Sequence, residues 1–294
     1  MRNEIFLSLL LGFLLDCLVG DPHSIPQAGE MTAGGILWVL TVAVSFCVPL
    51  GLLYLCGLVS PWLRLAVSSV MCWQVLAAKS LKTESMKVYT ALKTGTIEDA
   101  RYAVSMIVGR DTQTLDDKAV ARAAVETVAE NCSDGVIAPM LYFALGGAPL
   151  AFAYKAVNTM DSMLGYVEMP YKNIGCIPAK LDDVFNYIPA RISGLVMLLA
   201  GGILKLNFKN GWKIFKRDRY NHASPNSAQT ESVCAGLLGL RLAGDAWYHG
   251  VLHKKKYIGD ALREITPEDI PLSCKLMYGT TGIMLLLCLA AQTI

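Results

Sequence analysis

Charge is what this 294-residue chain has least of. Only 17% of its residues are Asp, Glu, Lys or Arg, against 54% hydrophobic ones, and mean hydropathy is +0.43. A soluble domain cannot hide that much apolar surface, so composition excludes an ordinary soluble fold and points to a membrane protein. A net charge of +2 removes the broad basic field expected of a nucleic-acid binder. The four histidines are dispersed and the nine cysteines contain no CxxC pair, so neither a histidine metal cluster nor a zinc site is expected. Cys17, Cys47, Cys56, Cys72 and Cys288 lie in apolar segments, where cysteine behaves as a small hydrophobe rather than as part of a disulfide framework. No GxxxxGK[ST] or GxGxxG loop is present, so a nucleotide must be held some other way. No Ser–His or Cys–His arrangement stands out, and covalent catalysis is not indicated.

What is present begins with apolar runs. Residues 4–20 read as a retained first membrane helix, in which Asp16 must face protein or an aqueous cavity. No charge occurs from Met31 to Leu63, long enough for a span of roughly 20 residues, placed at 34–57 with Trp38 and Tyr54 toward its ends. After Ser60-Pro61, residues 62–81 are amphipathic at best. Val136–Val157 is apolar but broken by Gly146-Gly147-Ala148-Pro149; it reads either as one kinked span or as a re-entrant dip. Segments 190–206 and 276–294 complete an all-α, polytopic bundle of four to five membrane segments, one of which could be re-entrant. The chain is expected to be one domain, 1–294. Its helical polar regions, 79–134 and 207–275, carry the Lys and Arg excess and are placed on the cytoplasmic side. The run Lys254–Lys256 reads as a solvated or lipid-headgroup patch.

Between the apolar runs lies a concentration of acids. In ARAAVETVAENCSDG, residues 121–135, the residues Arg122, Glu126, Glu130 and Asp134 recur every four positions and stack on one helical stripe. Asn131 lies beside it, Thr114 or Asp116 could cap the helix, and Gly135 could end it. One reading is a solvated face with an Arg–Glu pair; the other is a magnesium or phosphate site at a membrane surface. Asn158 with Asp161, and Asp182 with Asn186, share helix faces in the same way, while Asp183, Arg110, Lys155, Lys180 and Arg191 add charge nearby. Carboxylates with Arg and Lys are what phosphate chemistry needs: hard oxygen ligands for Mg²⁺ and forks for phosphate oxygens. A crossing at 136–157 would put the two acidic groups on opposite membrane faces, whereas a dip lined by broken helices would unite them.

These residues also carry a resemblance. GRDT…LD (109–116), ARAAVETVAEN..DG (121–135), AP..Y…GGAP (138–149), YKAVNTMDSMLGY (154–166), A.LDDVFNYIPAR (179–191) and SPN (224–226) resemble, in order and over nearly the whole chain, the adenosylcobinamide-phosphate synthase family, CobD/CbiB. The resemblance implies a cell-membrane ligase of cobalamin biosynthesis, dependent on ATP and Mg²⁺. Such an enzyme condenses adenosylcobyric acid with (R)-1-amino-2-propanol phosphate or ethanolamine phosphate. Partners would then be the corrinoid, the aminoalcohol phosphate and membrane lipid, with no nucleic acid, and there is room for association with other membrane enzymes of cobalamin assembly. Expected metal ligands are Glu126, Glu130, Asp161 and Asp182. Arg110, Lys155 and Arg191 are expected on phosphates, and Asn131 and Asn158 in orientation. Asp134 or Asp183 is the expected base, so that Glu126, Glu130, Asp134, Asp161 and Asp183 form the catalytic group. After Gly20–Pro22 the chain reads HSIPQAGEMTAGG, a departure from the family's usual His-Pro, and His23 receives no role. Two other readings are a magnesium-dependent membrane prenyl- or alcohol-phosphate transferase and a non-catalytic membrane sensor.

Overall fold

In the computed structural model of the protein, residues 27–165 and 173–293 are described; the expected segment 4–20, with Asp16 and His23, lies outside them. α1 (Gln27–Val59) contains the expected 34–57 span and presents Val39, Val44, Val48 and Tyr54 outward. Ser60 caps the next helix by accepting from the Trp62 N–H, and Pro61 occupies its first turn, a position where proline's missing donor is harmless. α2 (Pro61–Val75) runs back against α1, burying Met71 and Val75.

The first polar region is helical as expected. α3 (Ala78–Thr94) is followed by α4 (Ile97–Ser105), which opens on a reciprocal capping box between Thr96 and Asp99. α5 (Asp117–Cys132) is capped by Asp116, whose carboxylate accepts from the Ala119 N–H at 2.7 Å. α5 is the centre of the bundle. Val120, Ala121, Ala123, Ala124, Val125 and Val128 are all buried, because α3, α10 and the last helix close around it. Its small side chains let them approach. Gly135 does not stop this helix: the backbone passes through a π-helical turn, Ser133–Ile137, straight into α6 (Ala138–Leu164).

α6 is not one rod. Gly146 and Gly147 leave helical geometry, Gly147 at φ +67°, ψ −162°, a region essentially reserved for glycine. Twelve residues of continuous helix would separate Tyr142 from Tyr154 by about 18 Å. Their rings instead stack with centroids 4.8 Å apart, and the Tyr154 hydroxyl lies 2.9 Å from the Asp134 carbonyl oxygen. The chain therefore folds back at Gly146–Gly147, and 136–157 is a helical hairpin, the form a re-entrant dip requires. Ala148 at its tip packs with Leu53 of α1 and Met71 of α2, and the Ala144 carbonyl accepts from Gln292 at the end of the last helix.

α7 (Cys176–Phe185) and α8 (Tyr187–Ile203) meet at Asn186 with a 47° bend. α9 (Phe208–Asp218) and α10 (Ser227–Leu238) lie so close that a Cβ on Gly236 would stand 2.7 Å from the Gly211 Cα. The second polar region departs from an all-helical expectation between them and the last helix. β1 (Leu242–Ala243) pairs antiparallel with β4 (Tyr257–Ile258), and β2 (Ala246–Tyr248) with β3 (Val251–His253). Positive φ at His249 and Gly250 supplies the tight turn a two-residue hairpin loop needs. α11 (Asp269–Ala291) ends the described chain and starts seven residues before the expected 276, since its first turns are buried against protein rather than apolar in composition. Among the described residues, three helical stretches are long and apolar enough to cross a membrane by length and composition, Asp117–Leu164 with its fold-back being one of them, or four if the bent α7–α8 pair is one span. The architecture is that of an all-α polytopic membrane protein.

Candidate active site

The acidic stripe of α5 is not a solvated face. Glu126 is 4% exposed. Its partner is Arg110, from the loop after α4, rather than Arg122 one turn away. Burial works against the Arg110 charge, but the Glu126 carboxylate beside it holds the guanidinium pKa above its ordinary value. The other Glu126 oxygen accepts from the Ala243 N–H at 2.6 Å, so this one side chain ties the Gly109–Arg110 loop to β1. Glu130 accepts from the Ser227 hydroxyl at 2.7 Å, at the start of α10 just past the SPN turn.

Between α5, α10 and the β2–β3 ribbon lies a cavity of ≈ 200 Å³. Arg110, Glu126, Glu130 and Asn131 reach it as expected; Glu231, His222 and Lys255 reach it unannounced. Glu231 stands one turn beyond Ser227. Burial drives its carboxyl pKa well above the usual range, and the charges of Glu130 and Glu126 push the same way while Arg110 and Lys255 oppose them. The His222 pKa is lowered, chiefly by burial. Its Nδ1 accepts the Ser224 N–H at 3.1 Å, so the neutral ring carries its proton on Nε2. Lys255 sits 2.7 Å from the Tyr248 hydroxyl and is half-buried, unlike Lys254 and Lys256. Lys255 is thus part of the cavity wall, and the solvated-patch reading holds only for its two neighbours.

The hairpin brings the second acidic group to the same place. Asp134 lies within electrostatic reach of Asp182, Glu130 and Asp161, and Asp161 within reach of Asp183 and Glu130. Lys155 feels Asp134. Asp182 accepts from Asn186 at 2.9 Å and, at the long limit of 3.5 Å, from Asn158. The Tyr154 hydroxyl lies 2.7 Å from Asn186 Oδ1, which fixes the bend between α7 and α8. Asp183 accepts from the Ser224 hydroxyl at 2.8 Å and from Asn226. Asn131 donates to the Thr127 carbonyl. Arg191 is set aside from the acids: it donates to Asn226 and to the Tyr187 carbonyl and lies over the Tyr187 ring. Lys180 is exposed. Glu130 joins both halves into one cleft.

The side chains fit a divalent cation in a particular sense. Among the described residues no three of His, Cys, Asp and Glu converge closely enough to enclose an ion, so Glu126, Glu130, Asp161 and Asp182 are not a ready-made cage. Glu126 is spent on Arg110 and Ala243. Mg²⁺, however, is usually held by one or two carboxylates, substrate phosphates and waters, and Glu130 and Asp161 have carboxylate oxygens without a donor among the described residues. The sequence did hold a signal for Glu231: it is the single charged residue between His222 and Arg241, on a helix, α10, that is buried throughout.

Comparison with known proteins identifies the family. The profile of the family described as CobD/Cbib protein matches residues 9–277. A cobalamin biosynthesis protein CobD of Clostridium perfringens (strain 13 / Type A) is 46% identical over 285 residues, covering 90% of each chain. One named alike in Streptococcus sanguinis (strain SK36) is 44% identical over 96% of this chain and 95% of its own length. A cobalamin biosynthesis protein CbiB of Salmonella arizonae is 39% identical over 97% of both. No solved structure matches the chain. With its family profile spanning most of the sequence and its relatives aligned almost end to end, the chain belongs to the CobD/CbiB family of cobalamin biosynthesis proteins.

Proposed function

We propose that the chain is the ligase that joins adenosylcobyric acid to an aminoalcohol phosphate, using ATP and Mg²⁺, at the cytoplasmic face of the cell membrane. The observation that carries this reading is the cavity lined by Arg110 and Lys255 with Glu130 and Glu231, beside which Asp134 and Asp161 lie within electrostatic reach of Glu130, and Lys155 within reach of Asp134. Amide formation from a carboxylate needs activation. A propionate oxygen attacks the terminal phosphorus of ATP and ADP leaves. The amine nitrogen then attacks the acyl carbon, inorganic phosphate leaves, and one proton passes from nitrogen to a carboxylate.

Each step has residues suited to it. Arg110 and Lys155 orient phosphate oxygens. Asp134, at the hairpin base, or Asp183 takes the proton. A divalent ion, when bound, screens phosphate charge; Glu130, with Asp161 and Asp182, would hold it. The hairpin returns the chain so that Asp134 and Asp161 come within electrostatic reach of each other, as one site for phosphorylated substrates requires.

The test is complementation of a strain blocked at this condensation, followed by identification of the corrinoid formed. Glu130→Ala and Asp161→Ala should leave the protein in the membrane and abolish adenosylcobinamide phosphate. Normal product in both variants overturns the reading.

A further inference from the structure

The ligase reading leaves one buried carboxyl group unexplained. Glu231 is 4% exposed, and its Oε2 has neither solvent nor a hydrogen-bond donor. A buried carboxylate oxygen left without a donor is costly. The nearby cations are already engaged elsewhere: Arg110 is paired with Glu126 and Lys255 with the Tyr248 hydroxyl. Glu130, on the facing helix, lends only one oxygen to Ser227. Two carboxyl groups from two helices thus line one cavity, and among the described residues neither is ion-paired with a protein cation.

We propose that this cavity is a divalent-cation and phosphate site, with Glu130 and Glu231 on the cation side and Arg110 and Lys255 on the phosphate side. Its size supports this. At ≈ 200 Å³ it lies below the roughly 300–1,000 Å³ of pockets for drug-sized ligands, so it admits a phosphate group with its ion and excludes a corrinoid. Its walls support it too. The Gly109–Arg110 loop is held by Glu126, and Lys255 follows the ribbon directly, its N–H donating to Asp245 at 3.1 Å, while Asp111 fixes the ribbon's turn by accepting from the Gly250 N–H at 2.8 Å. Both cations are therefore positioned before any ligand arrives. The inference rests on the ligase reading for the origin of the phosphate, which belongs either to a nucleoside triphosphate or to the aminoalcohol phosphate. It places that phosphate against α10 rather than in the Asp161–Asp182 half of the cleft.

The test is Mn²⁺ binding, followed by electron paramagnetic resonance, to the full chain in lipid nanodiscs. Mn²⁺ shares the oxygen preference of Mg²⁺. Titrations are run alone, with inorganic triphosphate, and with ethanolamine phosphate. One of the two probes should tighten Mn²⁺ binding, and which one does so identifies the source of the phosphate. Glu231→Gln, which keeps the shape and removes the charge, should weaken Mn²⁺ binding about tenfold or more. Glu264→Gln, at an exposed carboxylate paired with Lys118 and outside the cleft, should leave that affinity within about twofold. Lys255→Ala, between β3 and β4, should abolish the tightening by the probe and leave Mn²⁺ binding alone unchanged; it decides the matter if Glu231→Gln fails to fold.

Equal Mn²⁺ affinity in wild type and Glu231→Gln overturns the proposal. So does a loss in Glu264→Gln as large as that in Glu231→Gln, an absence of response to both probes, or an undiminished response in Lys255→Ala. Product formation is measured separately. An intact Mn²⁺ site in a protein that makes no adenosylcobinamide phosphate overturns the ligase reading and supports the cavity. Product made with no ion at Glu231 overturns the cavity alone.

Discussion

Replacing Gly147 by alanine tests the helical hairpin on which the union of the two acidic groups depends. At φ +67°, ψ −162° an L-residue is strained whatever the space around it. The space here is in fact open, the nearest atom to a new Cβ being Pro149 Cδ at 3.7 Å. The penalty is therefore backbone strain alone, about 1–3 kcal/mol, and one to two kcal/mol already shifts a folding equilibrium by roughly 5- to 30-fold. Relief by straightening is blocked: it would carry Tyr142 and Tyr154 about 18 Å apart, breaking their stack and freeing Asn186 and the Asp134 carbonyl. Gly147→Ala should thus lower the thermal midpoint of the detergent-solubilised protein, and product formation should fall with the loss of the hairpin. The companion measurement is labelling. Cysteines introduced at Lys118 and Ser162, both exposed and on either side of the hairpin in sequence, should react from the same side of the membrane. An alanine variant as stable as wild type, together with labelling from opposite sides, would refute the fold-back.

Two further outcomes follow from the cavity. The Glu231 pKa is raised above its unfolded value of 4.5, so the native state holds the extra proton; stability is fully present below about pH 4.5 and is lost as pH rises through the folded pKa. Glu231→Gln, which cannot titrate, should therefore gain stability over wild type as pH rises, by at most about 1.4 kcal/mol per pH unit, and thermal melts from pH 4 to 8 would reveal a pH-independent difference if this is wrong. Glu126→Ala removes one member of a buried ion pair and should cost about 3–5 kcal/mol. Because Arg110 and Glu126 act as a unit, the double variant with Arg110→Ala should cost clearly less than the sum of the two single ones, and strict additivity in chemical denaturation would speak against the pairing.

Composition and periodicity alone determined much of this protein. The charge-free run after Glu30 had to become a long apolar helix, because nothing else satisfies its backbone in lipid. The four-residue spacing of Glu126, Glu130 and Asp134 had to place them on one stripe, because helical geometry allows no other arrangement. Asp182 and Asn186 were legible in the same way, and they do bond.

What only the tertiary structure decided are matters between elements. Gly146-Gly147-Ala148-Pro149 marks a break, but a kink and a reversal share that composition; the stack of Tyr142 on Tyr154 chooses the reversal. Local spacing offered Arg122 to Glu126, yet Arg110 takes it, because the α4–α5 loop folds over a helix too buried for a solvated pair. Glu231, Lys255 and His222 join the cavity from segments about a hundred residues further on. Periodicity reports the faces of one helix; which faces meet is set by packing, through small residues such as Gly211 and Gly236 that let α9 and α10 close together and so settle which charges share one cleft.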